Sequence, residues 1–244
     1  MIMDNIEISR LAVEYVKQNK KLIIEKFASP DIYKPYPEPA TFFMAGSPGA
    51  GKTETSKDYI LGVEEAINKR LGEGGEFKIV RIDGDDIRVM LPGYSGDNAD
   101  LFQEAISLGV NKLIDHCFHK RLSMLVDGTF ASPNSIANIE RTIKHNRLPN
   151  IIYVAQDPKL AWEHAKARES KDGRRITAEV FANAYFAARD NIKKVKEIWG
   201  DKVNLHYAEK DFETNSIKYK INISSIDGYS NLEYNIDSLK EILK

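Results

Sequence analysis

Eight consecutive residues, Gly46-Ser47-Pro48-Gly49-Ala50-Gly51-Lys52-Thr53, fill the pattern G-x-x-x-x-G-K-[ST]. Small residues at these positions let the backbone wrap an anion with its N–H groups turned inward. The helix that follows adds a partial positive charge at its start. Lys52 has the reach to bridge two phosphates, and the Thr53 hydroxyl is a hard oxygen suited to Mg²⁺. The chemistry expected is the grip of a Mg²⁺-bound nucleoside triphosphate, ATP or GTP. Ser56, one turn further on, reads as helix surface.

Two acidic groups follow apolar runs. The first is Ile82-Asp83-Gly84-Asp85-Asp86 and the second is Asp127-Gly128-Thr129. A phosphoryl transfer to an alcohol needs a carboxylate to take or orient the hydroxyl proton, and an acid near the metal. Asp85 is the candidate base, with Asp83 and Asp86 competing for that role or for contact with the acceptor. Asp86 is the natural cap for the helix expected from Ile87. Asp127 suits a metal-holding role, directly or through water. Arg88 is placed either to contact substrate or to pair with Asp85 or Asp86. Arg168, Arg174 and Arg175 flank a break at Gly173, and guanidinium groups there could neutralise a transferring phosphoryl group. The five histidines show no metal-ligand spacing, and Cys117 reads as packing.

The elements that must position these groups alternate. The spacing predicts an amphipathic helix over 4–28, then a connector stiffened by Pro30, Pro35, Pro37 and Pro39. Strands are expected at 40–45, 77–82, 122–126, 150–155 and 203–207. Helices are expected at 52–71, 87–91, 99–120, 133–146, 158–170, 177–198 and 235–243, with a turn at Asp227–Gly228. Nearly continuous apolar strands alternating with helices predict an α/β fold. It is a doubly wound, mostly parallel sheet of five to six strands with helices on both faces, an N-terminal helix, and a C-terminal β-hairpin and helix. The division is 1–39, helix and connector, and 40–244, a P-loop domain with a lid-like segment at 166–177.

The chain has 244 residues and a formal net charge of −1, so nothing global draws it to nucleic acid or to an anionic membrane. One cysteine excludes an intrachain disulfide and suggests a reducing compartment. No apolar leader or membrane-length run is visible. The expectation is a cytoplasmic protein.

Taken together, Gly-Ser-Pro-Gly-Ala-Gly-Lys-Thr (46–53), Ile-Asp-Gly-Asp-Asp-Ile-Arg (82–88), Leu-Pro-Gly-Tyr (91–94), Leu-Val-Asp-Gly-Thr (125–129), Pro158–Lys159 and Arg-Ile-Thr (175–177) resemble the zeta-toxin family. These are P-loop kinases of toxin–antitoxin systems, and the resemblance runs from about Thr41 to Tyr207. It implies that Lys52 and Thr53 serve the nucleotide and that Asp85 is the base. It further implies that Asp127 and Thr129 occupy the Glu-Gly-Thr motif, with aspartate where the family has glutamate. Arg175 matches the lid arginine, and Arg168 falls near an earlier helical one. The best-known members phosphorylate the sugar of UDP-N-acetylglucosamine, and relatives use other acceptors, including NAD. The resemblance therefore implies an alcohol acceptor on a nucleotide-type metabolite. A nucleoside or polynucleotide acceptor, or an ATPase or regulatory module without acceptor, stays open beside it. It also implies an antitoxin partner. Segment 4–28 is either a core helix or a neutralising element carried in cis.

Overall fold

The computed structural model describes residues 4–172, 176–211, 214, 216–229 and 234–243. In chain order the elements are α1 (Asn5–Gln18), α2 (Lys20–Ala28), β1 (Thr41–Ala45), α3 (Lys52–Leu71), β2 (Ile79–Asp83), α4 (Gly84–Arg88) and α5 (Gln103–His119). Then follow β3 (Ser123–Asp127), α6 (Pro133–Lys144), β4 (Pro149–Ala155), α7 (Pro158–Asp172), α8 (Ala178–Trp199), β5 (Asn204–Asp211), β6 (Ser216–Lys220) and α9 (Ile236–Ile242).

Among the described residues one six-stranded sheet runs β2-β3-β1-β4-β5-β6. The ladders from β2 to β5 are parallel, and β6 is antiparallel to β5. The chain leaves β1, makes β2 at the far edge, returns through β3, and crosses to β4 on the other side of β1. Strand order therefore reverses at β1, and the carboxyl ends on either side of it open the crevice where doubly wound sheets hold ligands.

Side-chain alternation sorts the strands into two buried faces. Phe43 and Ala45 of β1 pack with Ile151 and Tyr153 of β4 and with Ile192 and Val195 of α8. Phe42 and Met44 point the other way and pack with Leu125, Ile152 and Val154 and with Ile60 of α3. Both faces of β1 are buried, so it reads as a continuous apolar run. Toward the β2 edge, Val80, Ile82 and Met124 meet Leu113, Ile114 and Phe118 of α5. Ala12 and Val16 of α1 and Ile23 and Ala28 of α2 complete that cluster, so the N-terminal helices are part of the core. A fourth cluster, built from helices, joins Ala161 and Ala165 of α7 to Phe181 of α8 and Leu239 of α9.

The single helix expected over 4–28 is two. Asn19 ends the first, its backbone N–H and its side-chain Nδ2 both donating to the Tyr15 carbonyl at 2.9 Å. A side chain that bonds the local backbone offers an alternative to continuing the helix. β2 begins at Ile79, two residues later than the apolar pattern suggests, because the Phe77 N–H and carbonyl are taken by the Asn68 side chain. The short helix after it begins at Gly84, three residues earlier than expected. The hairpin pairs β5 with β6, and β6 ends before Asn222, whose φ of 52° departs from extended backbone.

Candidate active site

β1 delivers the chain into the glycine-rich loop at Gly46. There φ is 136°, and a side chain would strike the Val154 carbonyl of β4. The Gly46 N–H donates to the Thr129 carbonyl at 3.1 Å, which ties the loop to the exit of β3. Gly49 has φ 75° and lies against α7: a Cβ there would drive into the Ala161 carbonyl and lie 2.9 Å from the Ala165 nitrogen. Glycine is required at both positions by conformation and by space. Ala50 is buried, and Gly51, in the left-handed region, turns the chain into α3. Ser47 and Lys52 are buried, and Lys52 Nζ donates back to the Ser47 carbonyl at 2.6 Å. Pro48 and Thr53 complete the loop at its tip and at the first turn of α3.

The acids end two neighbouring strands. Asp83 and Asp127 are the last residues of β2 and β3 and are partners in the parallel ladder. Asp83 caps α4: its Oδ1 accepts from the Asp85 N–H at 2.8 Å. The cap expected of Asp86 is therefore made by Asp83, because the helix starts at Gly84. Asp86 instead accepts from Arg81 Nη1 at 2.9 Å. Burial, and then the charge of Asp127, push the Asp83 carboxyl up to about 6 despite Arg81 beside it.

Asp85 projects from α4 between two arginines. Arg88 Nη1 donates to Oδ1 at 2.9 Å, and Arg168 Nη2 stands 3.6 Å from Oδ2. Arg88 is buried, its guanidinium 5.9 Å from the Tyr94 ring centre. Arg168 is half exposed on α7. Ala161, Ala165 and Arg168 are spaced four and three apart and share one helix face. That face touches Gly49 at one end, where His164 Nδ1 also lies 3.4 Å from the Gly49 carbonyl, and reaches Asp85 at the other. Arg174 and Arg175, with the middle of the lid-like segment, lie outside the described residues.

Two residues in this site escape a reading of the sequence alone. Ser56 is fully buried, not surface: its Oγ lies 2.8 Å from Asp127 Oδ2 and 2.9 Å from the Thr53 carbonyl. Arg81 sits in the middle of β2 and contacts Asp83, Asp86 and Asp127 together. Burial works against its charge, but Asp127 and then Asp83 outweigh that, and its pKa is raised. The available signal was a charged residue inside an apolar strand, two positions before Asp83 and so on the same face.

The loop after β3 is strained. Phe130 is buried with φ 63°, a conformation rare for a bulky side chain. Asn191 of α8 holds it, Nδ2 donating to the Phe130 carbonyl at 2.9 Å and to that of Ser132 at 3.3 Å. Thr129, the residue before, has its Oγ1 accepting from the Ala131 N–H at 3.3 Å.

A family model described as Zeta toxin matches residues 25–220. The chain belongs to the zeta toxin family. This is a family of P-loop kinases, and the loop at 46–53 and the reversal of strand order at β1 are the features it shares with that fold. No curated protein matches the chain. Among solved structures, that of the PezAT chromosomal toxin–antitoxin system of the human pathogen Streptococcus pneumoniae is similar over 94% of this chain and 95% of that one, with a TM-score of 0.61 and 15% identity. The AvrRxo1-ORF1:AvrRxo1-ORF2 structure with sulphate ions is similar over 91% and 70%, with a TM-score of 0.58 and 13% identity. The AvrRxo1-ORF1:-ORF2 structure with ATP is similar over 86% and 65%, at 0.56 and 14%. At such identities the likeness is one of fold. Within the zeta toxin match fall all the residues named above for the phosphate loop, the strand-end acids and α7. Among the described residues no helix is long and apolar enough to cross a membrane.

Proposed function

We propose that this chain transfers the γ-phosphate of ATP or GTP to a hydroxyl of a nucleotide-type metabolite, with a UDP-N-acetylglucosamine-like sugar nucleotide as the leading acceptor class. One observation carries the reading: a single face of α7 lies on the phosphate loop at Gly49 and reaches Asp85 through Arg168. Donor phosphate on the loop and an alcohol at Asp85 would then share one crevice.

In this reading the loop amides and Lys52 hold the β- and γ-phosphates, Lys52 exchanging the Ser47 carbonyl for phosphate oxygens. The donor set suits Mg²⁺. Thr53 and Asp127 offer hard oxygens, and Ser56 ties them together by touching both the Thr53 carbonyl and Asp127 Oδ2. When bound, the ion neutralises charge on the β- and γ-oxygens. Asp85 orients the acceptor hydroxyl and takes its proton as the oxygen attacks phosphorus. Arg168, and Arg175 from the lid-like segment, neutralise charge on the transferring group. Asp83, Asp86, Arg88 and Thr129 line the acceptor side. The PezAT structure is that of a toxin–antitoxin system, and this supports a neutralising protein partner here too.

The test is a metabolite extract incubated with the protein and ATP, read by mass spectrometry. The expected result is one class of nucleotide metabolite gaining a phosphate, with no gain when Asp85→Ala protein is used. Release of inorganic phosphate with no phosphorylated acceptor would overturn the kinase reading in favour of an ATPase.

A further inference from the structure

We infer that Arg81 is a positioning residue of the nucleotide site, acting with Ser56 to fix the Asp127 carboxylate through one of its two oxygens. The inference rests on the Mg²⁺–nucleotide reading above and adds a role that the loop motif and the strand-end acids do not contain.

The geometry is specific. Arg81 Nε and Nη2 both donate to Asp127 Oδ2, at 3.2 and 2.7 Å. Ser56 Oγ donates to the same oxygen at 2.8 Å and lies 3.2 Å from Arg81 Nε. Among the described residues the hydrogen bonds given to the Asp127 carboxylate end on Oδ2, so Oδ1 is the oxygen left to act on a cation. The Asp127 side chain is 4% exposed and that of Arg81 16%. A carboxylate this deeply buried beside its ladder partner Asp83 would meet like-charge repulsion without the guanidinium between them. The remaining donors of Arg81 go to Asp83 Oδ2 and, at 2.9 Å, to Asp86 Oδ2.

A planar guanidinium does this because its N–H groups diverge in a fixed fork, whereas an ammonium is a point charge with no such plane. Aspartate is one methylene shorter than glutamate, so its carboxylate has less freedom to find a cation. Gripping Oδ2 from two sides sets where Oδ1 lies. Groups that orient a metal-holding side chain matter nearly as much as the side chain itself.

The test is calorimetric ATP binding to the full chain, in Mg²⁺ and in EDTA. Arg81→Met should keep its metal-free ATP affinity, which the loop supplies, but lose about ten-fold or more of the strengthening that Mg²⁺ gives. Arg81→Lys should recover only part of it. The double variant Arg81→Met/Asp127→Asn should be no weaker than Asp127→Asn alone. An Arg81→Met protein with its full Mg²⁺ enhancement, or effects of the two substitutions that multiply, would overturn the inference. If Arg81→Met does not fold, Ser56→Ala removes a donor from the same oxygen and should show the same selective loss, in smaller measure. Its absence there overturns the inference as well. A wild-type chain that binds Mg²⁺–ATP but phosphorylates nothing refutes the kinase reading alone, and the titrations still decide the role of Arg81. A wild-type chain that binds no nucleotide refutes both.

Discussion

Arg168 Nη2 stands 3.6 Å from Asp85 Oδ2, and the helix that carries Arg168 also supplies the backbone pressed against Gly49. α7 is therefore a strut between the phosphate loop and the acid at the start of α4. The ion pair itself is half exposed and worth little to stability. Its value is positional: it keeps an arginine of α7 beside the carboxylate at the start of α4.

Removing that carboxylate should separate binding from chemistry. Asp85→Ala should cut turnover by roughly two to four decades, while nucleotide affinity, measured by titration, stays near wild type. An Asp85→Ala enzyme turning over at full rate would eliminate Asp85 as the base.

The contact between loop and helix sets up a paired comparison of glycines. Gly49→Ala forces a Cβ into the Ala161 carbonyl at a positive φ, so it should abolish nucleotide binding and lower the melting temperature. Gly62→Ala, on α3 with nothing within 4 Å of the new Cβ, should instead stabilise by about 0.5–1 kcal/mol. Equal thermal shifts in the two variants would contradict the close approach.

The strained loop after β3 depends on one amide. Asn191→Ala leaves the Phe130 and Ser132 carbonyls without that donor and should cost about 1–3 kcal/mol in denaturant unfolding. Because the Thr129 carbonyl accepts from Gly46, relaxation at Phe130 should also weaken nucleotide binding. A variant less stable yet unchanged in nucleotide affinity would show that the strain does not reach the phosphate loop.

His206 gives the fold an acid-sensitive point. The Asn222 N–H points at Nδ1 at 3.4 Å, so Nδ1 accepts, the ring is neutral, and Nε2 donates to Asn150 Oδ1 at 3.3 Å. Burial lowers its pKa below the usual histidine value. A depressed pKa contributes stability that is present above the unfolded value, about 6.5, and is lost as pH falls through the folded value. His116, lowered by burial and then by Lys120, acts with the same sign. Asp83, its carboxyl held up at about 6, acts with the opposite sign in the same range, so the His206 contribution is read as a difference. Between about pH 7.5 and pH 5.5 the melting temperature of the wild type should fall relative to that of His206→Asn, which should change the slope. An unaltered slope would assign the effect elsewhere.

Cys117 supplies a control for folding in every variant. It is buried, and desolvation pushes its thiol up to about 12. A thiolate-directed reagent should label it only when the chain unfolds. Rapid labelling under native conditions would contradict the packing of α5.

The amino-acid sequence by itself located the phosphate loop, the two strand-end acids, the alternation of strands and helices, and the family. Each of these rests on residues close together in the chain: a loop pattern, an apolar run, a carboxylate at its end. It misread Ser56 and passed over Arg81, and it assigned the cap of α4 to the wrong aspartate. Those three depend on which strand lies beside which. Only the pairing of β2 with β3, which makes Asp83 the neighbour of Asp127, and the packing of α3 beneath them bring Ser56 and Arg81 onto one carboxylate oxygen. Likewise the meeting of Gly49 and Asp85 along α7 joins residues far apart in the chain. Local patterns say which groups face the crevice. Which oxygen is held, and by which cation, is decided by long-range contacts whose energy exists only once the sheet has formed.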